Sequence, residues 1–234
     1  KEKAINISKS LGFEIAPLNV NTSGMVWEIS PDGKTLIQPL SSVKGLGEKA
    51  IEQILDNRPF NTVEEFLFNE NIVYSKLNKK ALDVLCRSGA MDDLIDERFT
   101  GAKHFWSSVA VDRPRKEKNL LENIDKYAPE GDFTEEENIQ YQIDLTGVFP
   151  FDLVMGERIR ESLNKHMVPP ISEYDAELGG VVWCTPREVI KKKTKNGKDY
   201  YIVRVIDDNN ETNTIRCWGV RPDKDIVRVN RPYM

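Results

Sequence analysis

Hydrophobic residues recur with a helical period between residues 41 and 101. The stripes with this i, i+3, i+4 spacing are Leu46, Ala50, Ile51, Ile54 and Leu55, then Leu77, Ala81, Leu82 and Leu85 before Gly89. Thr62, with Glu65 three residues later, resembles a capping box that opens a helix over 63–68. The pattern predicts a small domain of several short helices.

A period of two residues marks both sides of this helical stretch. Residues 13–40 alternate through Val26, Glu28, Leu36 and Gln38 around a turn at 31–34, which predicts a β-hairpin. Beyond the breaker Pro169-Pro170, five segments alternate: 179–184, 189–194, 199–207, 212–218 and 226–229, with turns at 195–198 and 208–210. The predicted class is α+β, and the C-terminal part fits a five-stranded OB-type β-barrel, which is complete only if 226–229 supplies strand four or five.

The segment between these parts is charged and lacks a clear period. It starts with Arg113-Pro114-Arg115 and contains a turn at 129–132, which predicts a linker or flexible crossover over 112–135. Short helices are predicted over 135–145 and 156–165. The predicted domains are 1–40 (extended, with the hairpin), 41–111 (helical), 112–174 (linker with short helices) and 175–234 (barrel).

Two glycines flank one apolar residue directly before the first predicted helix, in Lys44-Gly45-Leu46-Gly47-Glu48-Lys49-Ala50. This is the helix-hairpin-helix pattern, in which a sharp turn brings the N–H groups at a helix start close to a phosphate. The helix dipole adds favourable potential, and Lys44 and Lys49 can supply counter-charge. We therefore predict that Lys44, Gly45, Leu46, Gly47 and Lys49 grip the phosphates of the DNA backbone without reading its sequence. The alternative is a plain turn between two helices.

The total charge of −5, from 33 basic and 38 acidic residues, argues against nucleic-acid binding through bulk charge alone. Residues 187–198, however, carry six basic residues against one acidic, so this stretch has +5 and the rest −10. Lysines track phosphates and bases stack on aromatic rings, which predicts a single-strand site on the barrel. Its candidate residues are Lys191, Lys192, Lys193, Lys195, Lys198, Tyr201, Arg204 and Arg216. The alternative is a solvated hairpin whose lysines discourage edge pairing.

The aromatic residues of the predicted barrel divide between its two faces. Alternation places Tyr200 and Tyr201 on opposite faces, so at most one of them is a stacking platform. Trp183 is expected in the core. The pattern does not assign Trp218 to either face.

Four sequence blocks, in a fixed order, carry a resemblance to a known family. They are 17–23 (PLNVNTS), 40–54, 58–66 (RPFNTVEEF) and 77–92 (LNKKALDVLCRSGAMD). Together they resemble the bacterial replicative DNA polymerase III alpha subunits, the C-family DNA polymerases. The resemblance implies that the first block closes the fingers region and that 41–111 is a tandem helix-hairpin-helix domain holding duplex DNA. In it, 78–92 would form a degenerate second hairpin that turns at Gly89, and 175–234 would be an OB domain for single-stranded template.

The resemblance continues over 132–234. The sequence departs from the family pattern at 144–150, where the segment DLTGVFP is shorter and lacks the family's histidine. In the family, the catalytic aspartates and their Mg²⁺ lie in a palm upstream of this segment. The resemblance therefore implies a piece of a DNA-directed DNA polymerase, a nucleotidyltransferase, without catalytic residues, cofactor or metal of its own. The carboxylate pairs and triplet at 92–93, 207–208 and 135–137 are expected at helix ends and turns. The missing initial Met favours a fragment, and the acidic total favours a phage or diverged polymerase.

Residues 140–145 (QYQIDL) faintly resemble a short sliding-clamp-binding peptide, and an amphipathic helix is the alternative. The rival function is therefore a replisome scaffold that binds the clamp or other replication proteins. Cys86, Cys184 and Cys217 lack metal-site spacing, and they are expected as small buried hydrophobes. His104 and His166 have no nucleophile beside them. No stretch has the length of a membrane span or a signal core, which predicts a cytoplasmic protein.

Overall fold

The computed structural model describes the chain except residues 1–4, 6, 9–10, 208–211 and 220–226 and the side chain of Asp152. The chain divides into two compact units, one of Ser8–Phe149 and one of Pro150–Met234 with the residues before Ser8. Helices and two three-stranded sheets form these units, which confirms the α+β class.

A small mixed sheet opens the first unit. It consists of β1 (Glu14–Ala16), β2 (Glu28–Ile29) and β3 (Thr35–Ile37), in the order β1-β3-β2. β2 and β3 are antiparallel around the Pro31–Lys34 turn, so the predicted hairpin is confirmed. β1 pairs parallel to β3, which the local alternation did not indicate.

Six helices follow in the first unit. They are α1 (Glu48–Asn57), α2 (Val63–Leu67), α3 (Lys79–Arg87), α4 (Ala102–Trp106), α5 (Glu117–Tyr127) and α6 (Glu135–Thr146). A π-helical turn (Ser107–Val111) and 3₁₀ turns (Leu40–Ser42, Asp92–Leu94, Ala128–Glu130) connect them. Thr62 caps α2 by accepting the Glu65 N–H at 3.2 Å, while the Glu65 carboxylate reaches the Asn61 N–H at 2.7 Å. The predicted helix start is therefore confirmed. In a complete capping box Glu65 would accept the N–H of Thr62, whereas here it accepts that of Asn61, one residue earlier.

Both predicted stripes form the core of this unit. Its largest fully buried side chains include Phe66, Phe105, Leu40, Ile51, Ile54, Leu77, Leu82, Leu85, Met91, Leu120 and Val20. Burying a side chain of this size contributes about 1.5–3 kcal/mol. Tertiary packing of one face thus stabilises helices that would be too short to form alone.

The prediction of a flexible linker over 112–135 is wrong for its middle part, because α5 is a regular helix in the core of the first unit. Leu120 and Ile124 are buried on one face, and the Asn123 side chain between them donates to the Ser108 carbonyl at 2.9 Å. Three well-placed residues among many charged ones are enough to dock the helix. The high content of charged residues in the segment therefore does not indicate that one face of the helix is buried.

The completely buried His104 joins α4 to α5. Its Nδ1 accepts the Thr100 N–H at 2.9 Å, so the proton lies on Nε2, which donates to the Ile124 carbonyl at 2.8 Å. Beside it, Asp132 Oδ1 accepts the Ala102 N–H at 2.7 Å and so caps α4 from a distant loop. Both ring nitrogens form hydrogen bonds within the core, as expected for a structural histidine.

The described part of the second unit after Phe149 contains the helices α7 (Phe151–Val154) and α8 (Glu157–Lys165) and an antiparallel sheet in the order β4-β5-β6. The strands are β4 (Thr185–Lys193), β5 (Asp199–Ile206) and β6 (Asn213–Trp218), and β4 and β5 meet at the predicted turn with Gly197 at φ +76°. Three of the five predicted strands are therefore present, with β4 starting earlier than expected.

The predicted strand over 179–184 is wrong. Gly179 and Gly180 have φ values of +65° and +121°, which break an extended segment, and only isolated bridges join Trp183 to Pro170 and Cys184 to Tyr233. Trp183 is 4% exposed, which confirms its core position. The predicted turn at 208–210 and Ile226, the first residue of the predicted fifth segment, lie outside the described residues. Within the described residues, this unit forms a three-stranded sheet rather than a closed five-stranded barrel.

Candidate nucleic-acid interface

The glycine-flanked segment forms a tight turn between the Leu40–Ser42 3₁₀ turn and α1. Gly45 has φ +89°, which is costly for any residue with a Cβ, and the position of such a Cβ would lie 3.5 Å from Val84 Cγ1 of α3. Gly47 is the N-cap of α1, with φ −80° and ψ 151° and open space around it. The hairpin geometry that the two glycines predict is therefore present.

Four backbone N–H groups of this hairpin point to no acceptor within the described part of the chain. They belong to Gly45, Gly47, Glu48 and Lys49, all of which are exposed. The first turn of a helix leaves such donors unsatisfied, and its dipole makes the same place electropositive. Donors and potential of this kind are suited to an anion such as a phosphate.

Two of the five residues predicted for this site also contact other parts of the first unit. Leu46 is 8% exposed, and its N–H donates to the Val43 carbonyl at 3.3 Å, so it anchors the turn in the core. The Lys44 N–H donates to the Leu145 carbonyl at 2.7 Å, and its ammonium lies 3.5 Å from the position of a Cβ on Gly147, just beyond the end of α6. A cation is favourable at a helix C-terminus, so Lys44 caps α6.

The turn predicted for a second hairpin is present at Gly89, which has φ +78° and follows α3. The element after it is only the 3₁₀ turn Asp92–Leu94, and its first two residues are acidic. Burial, together with the nearby charges of Asp93 and Asp132, raises the pKa of Asp92 to about 6. The element after Gly89 therefore differs from the start of α1, because it is a single 3₁₀ turn that begins with two carboxyl groups.

The second unit separates the predicted single-strand residues between two faces of its sheet. Residues directly opposite each other on β4, β5 and β6 share a face of the sheet. One face has three such rows, each with one residue from every strand: Lys192, Tyr200 and Trp218; Ile190, Ile202 and Arg216; Glu188, Arg204 and Thr214. We call this face the aromatic face. Tyr200 and Trp218 stack on it with ring centres 4.4 Å apart and planes 14° from parallel.

Tyr201 therefore does not share a face of the sheet with Arg204 and Arg216. Tyr201 pairs with Lys191 and Cys217 on the opposite face, which also carries the buried Val203. Tyr200 and Trp218 are the aromatic residues that accompany the arginines, and Trp218 is 58% exposed. The alternation of the strands correctly separated the two tyrosines, but it could not indicate which face the core would cover.

The lysines of the basic turn differ in their surroundings. Lys191 pairs with Asp199 at 2.8 Å, on the same side of the sheet as Tyr201. Lys192 belongs to the aromatic face, whereas Lys195 and Lys198 lie exposed in the turn beyond Lys193. Arg204 is paired with Glu188 at 3.1 Å, which partly neutralises the aromatic face.

The described ranges contain no group of three His, Cys, Asp or Glu side chains arranged to hold a metal ion. Their helices lack the length and apolar character needed to cross a membrane. Cys86 and Cys184 are buried, as expected of small hydrophobic residues, and burial raises the pKa of Cys184 to about 11. Residues 140–145 belong to α6, with Leu145 only 6% exposed in the core.

Comparison with known proteins agrees with this geometry. A family model described as a helix-hairpin-helix motif matches residues 12–101. The chain is 26% identical over 222 residues to the DNA polymerase III subunit alpha of Aquifex aeolicus. This match covers 91% of this chain and 18% of that protein. It is 34% identical over 92 residues to the Thermus aquaticus subunit (38% and 7% covered) and 22% identical over 237 residues to that of Helicobacter pylori strain 26695 (85% and 19%).

The chain thus spans less than a fifth of the length of these curated relatives. The comparisons confirm the resemblance to DNA polymerase III alpha subunits that the four sequence blocks indicate.

Proposed function

We propose that this chain is the DNA-holding C-terminal part of a replicative DNA polymerase III alpha subunit. In this proposal the first unit grips duplex DNA, and the sheet of the second unit holds single-stranded template. Similarity to alpha subunits over 91% of the chain and the helix-hairpin-helix motif support a DNA-binding role in replication.

The observation that carries the duplex part is the set of four free N–H groups at the start of α1. A hydrogen bond to a charged group contributes about 1.5–3 kcal/mol, and a phosphate oxygen is such an acceptor. Contacts of this kind hold the sugar-phosphate backbone at any sequence, as a replicative polymerase requires. Lys49, exposed in the first turn of α1, adds positive charge.

The stacked pair on the aromatic face carries the single-strand part. Trp218 presents an exposed ring, and Lys192 and Arg216 lie in the same and the adjacent row. Stacking of a base on such a ring contributes about 1–3 kcal/mol without selecting a sequence. This arrangement supports an OB-type module in which β4, β5 and β6 are the first three strands of the barrel.

The polymerase reaction itself is assigned to the parent protein. The nucleotidyl transfer and its Mg²⁺ belong to a palm that the matched segment does not include, and a cytoplasmic location goes with that role. The clamp-binding alternative is less well supported, because the side chain of Leu145 is held in the core of the first unit. A clamp-binding peptide at 140–145 would need to leave that core.

Fluorescence anisotropy of the whole chain tests the proposal. A labelled blunt duplex and a labelled single strand are titrated separately at 50 and 200 mM salt. We expect both to bind and both affinities to fall with salt, because each phosphate contact releases counterions. A folded protein that binds neither DNA would refute the proposal, and salt-independent binding to replication proteins alone would favour the scaffold.

A further inference from the structure

A second helix start with the same construction lies beside the hairpin, at the beginning of α3. Four buried residues of each helix correspond in spacing: Leu46, Ala50, Ile51 and Ile54 of the first, and Leu77, Ala81, Leu82 and Leu85 of the second. The N-caps also correspond, since Gly47 has φ −80° and ψ 151° and Asn78 has φ −80° and ψ 178°. The molecule therefore presents one helix-start geometry twice.

The start of α3 also has free backbone donors. The Asn78 side chain accepts the Ala81 N–H at 3.0 Å, while the N–H groups of Asn78, Lys79 and Lys80 have no acceptor in the described part of the chain. The first turn of α3 contains no acidic residue, whereas α1 starts with Glu48. Two lysines at the positive end of a helix dipole are unfavourable unless an anion lies over them.

Packing brings a second basic segment to the same place. Arg113 donates to the Leu77 carbonyl, and its guanidinium carbon lies 3.4 Å from the centre of the Tyr74 ring. The Tyr74 hydroxyl donates to the Pro114 carbonyl at 3.0 Å. Arg113 thus holds its segment against Leu77, two residues before Lys79, and Arg115 and Lys116 follow directly in that segment.

We call the resulting surface the basic strip: Lys76, Lys79, Lys80, Arg115 and Lys116. All five side chains are exposed, and none forms an ion pair within the described ranges. Residues 71–82 and 113–116 contain no acid. Two other lysines of this unit are neutralised, Lys103 by Glu137 at 2.8 Å and Lys126 by Asp112 at 3.0 Å. Glu117, directly after the strip, is its nearest acid along the chain.

The basic strip is continuous with the hairpin. Lys80 Cε lies 3.6 Å from the position that a Cβ on Gly45 would occupy, so the Lys80 stem packs against the turn. Lys44, which the sequence pattern assigns to this place, is turned toward the end of α6 instead. Lys80 is therefore positioned, as Lys49 is, to add positive charge beside the free N–H groups of the hairpin.

We propose that the basic strip is a second phosphate-binding surface, which extends the hairpin site along the sugar-phosphate backbone of duplex DNA. The inference rests on the proposed duplex-binding function and adds the residues that supply its charge. Because the strip has free cations and free N–H groups side by side, it binds phosphate as the hairpin does, while the acidic turn at Gly89 does not.

The test measures binding of the whole chain to a labelled 20-base-pair duplex as a function of salt. Lys79→Gln/Lys80→Gln removes two cations of the strip. The matched control, Lys34→Gln/Lys118→Gln, removes two exposed cations elsewhere in the first unit, one of them facing Glu122. Both variants have the same net charge, so a difference between them reports position.

We expect the slope of log affinity against log salt to become shallower by about 1.8 in the strip variant and to stay near the wild-type value in the control. The loss of affinity between 50 and 200 mM salt then shrinks by about twelvefold. Removing cations from a helix N-terminus does not destabilise α3, so the melting temperature of the strip variant should not fall.

Equal slopes in the strip variant and its control would overturn the inference. The same would follow if Lys79→Pro, which removes one N–H at a position where proline is tolerated, bound as tightly as Lys79→Gln. A wild-type chain that does not bind the duplex at all would refute the proposed function itself. Duplex binding that weakens on changing the start of α1 but not the strip would refute only the inference.

Discussion

The hairpin site can be tested at one backbone atom, by comparing Glu48→Pro with Glu48→Gln. Glu48 is the first residue of α1, and its N–H is one of the four free donors. Proline is well tolerated at this first helical position, and Gly47, at ψ 151°, already has the extended conformation that precedes a proline. Both variants remove the same charge, so they differ chiefly in the N–H group.

The expected loss follows from the hydrogen bond that proline deletes. An N–H donating to a phosphate contributes about 1.5–3 kcal/mol, so Glu48→Pro should bind duplex DNA about 10- to 100-fold more weakly than Glu48→Gln. Glu48→Gln itself should bind more tightly than the wild type, because it removes a negative charge beside the bound phosphate. The salt slopes of the two variants should agree, since they have the same cations.

The assay is fluorescence anisotropy with a labelled blunt duplex, together with thermal melts of both variants. The melts control for folding, and they should agree to within a few degrees because α1 keeps all its internal hydrogen bonds. Equal affinities of the two folded variants would show that the hairpin N–H groups do not contact phosphate. The proposed duplex grip would then be wrong.

Three further substitutions probe other parts of the molecule. Trp218→Ala should weaken binding to single-stranded DNA about 5- to 100-fold and leave duplex binding unchanged. Tyr201→Phe, on the opposite face of the sheet, should change neither affinity. Equal effects of Trp218→Ala on both DNAs would contradict the assignment of faces. Gly101→Ala should destabilise the chain by about 1–3 kcal/mol in urea unfolding, because its Cβ would lie 2.5 Å from Asp132 Oδ1; an unchanged midpoint would contradict this packing. Asp92→Asn should stabilise the chain at pH 7.5, because the raised pKa of Asp92 means that the folded state favours its neutral form. The stabilisation should decrease as the pH falls below about 6. Thermal melts in which the two proteins differ equally at every pH would contradict this prediction.

The elements of the first unit that the sequence predicted are those with a local signal. The stripes of α1 and α3 and the Thr62 cap need only the period and the capping chemistry. The helix α5 was missed because its charged residues mask a buried face of Leu120, Asn123 and Ile124. That face is recognisable only from the surface that it packs against.

The candidate sites divide in the same way. The two glycines predict the hairpin backbone, since positive φ and helix capping are local properties. The roles of Lys44 and Lys80 are not local, because they depend on α6 and α3 approaching the hairpin from about a hundred and about thirty-five residues away in the sequence. One sequence signal could have pointed to the basic strip: the spacing of residues 46–54 recurs at 77–85.

The bond from the Lys44 N–H to the Leu145 carbonyl determines how this protein can be divided. It ties the hairpin to the last turn of α6, and Leu145 itself belongs to the same core as α1 and α3. A shortened chain that ended at residue 111 would keep every residue of the motif and lose this tie, α5 and α6. A piece that keeps the support of the hairpin must therefore extend to the end of α6, and exchanging only the motif between relatives would transfer its residues without that support.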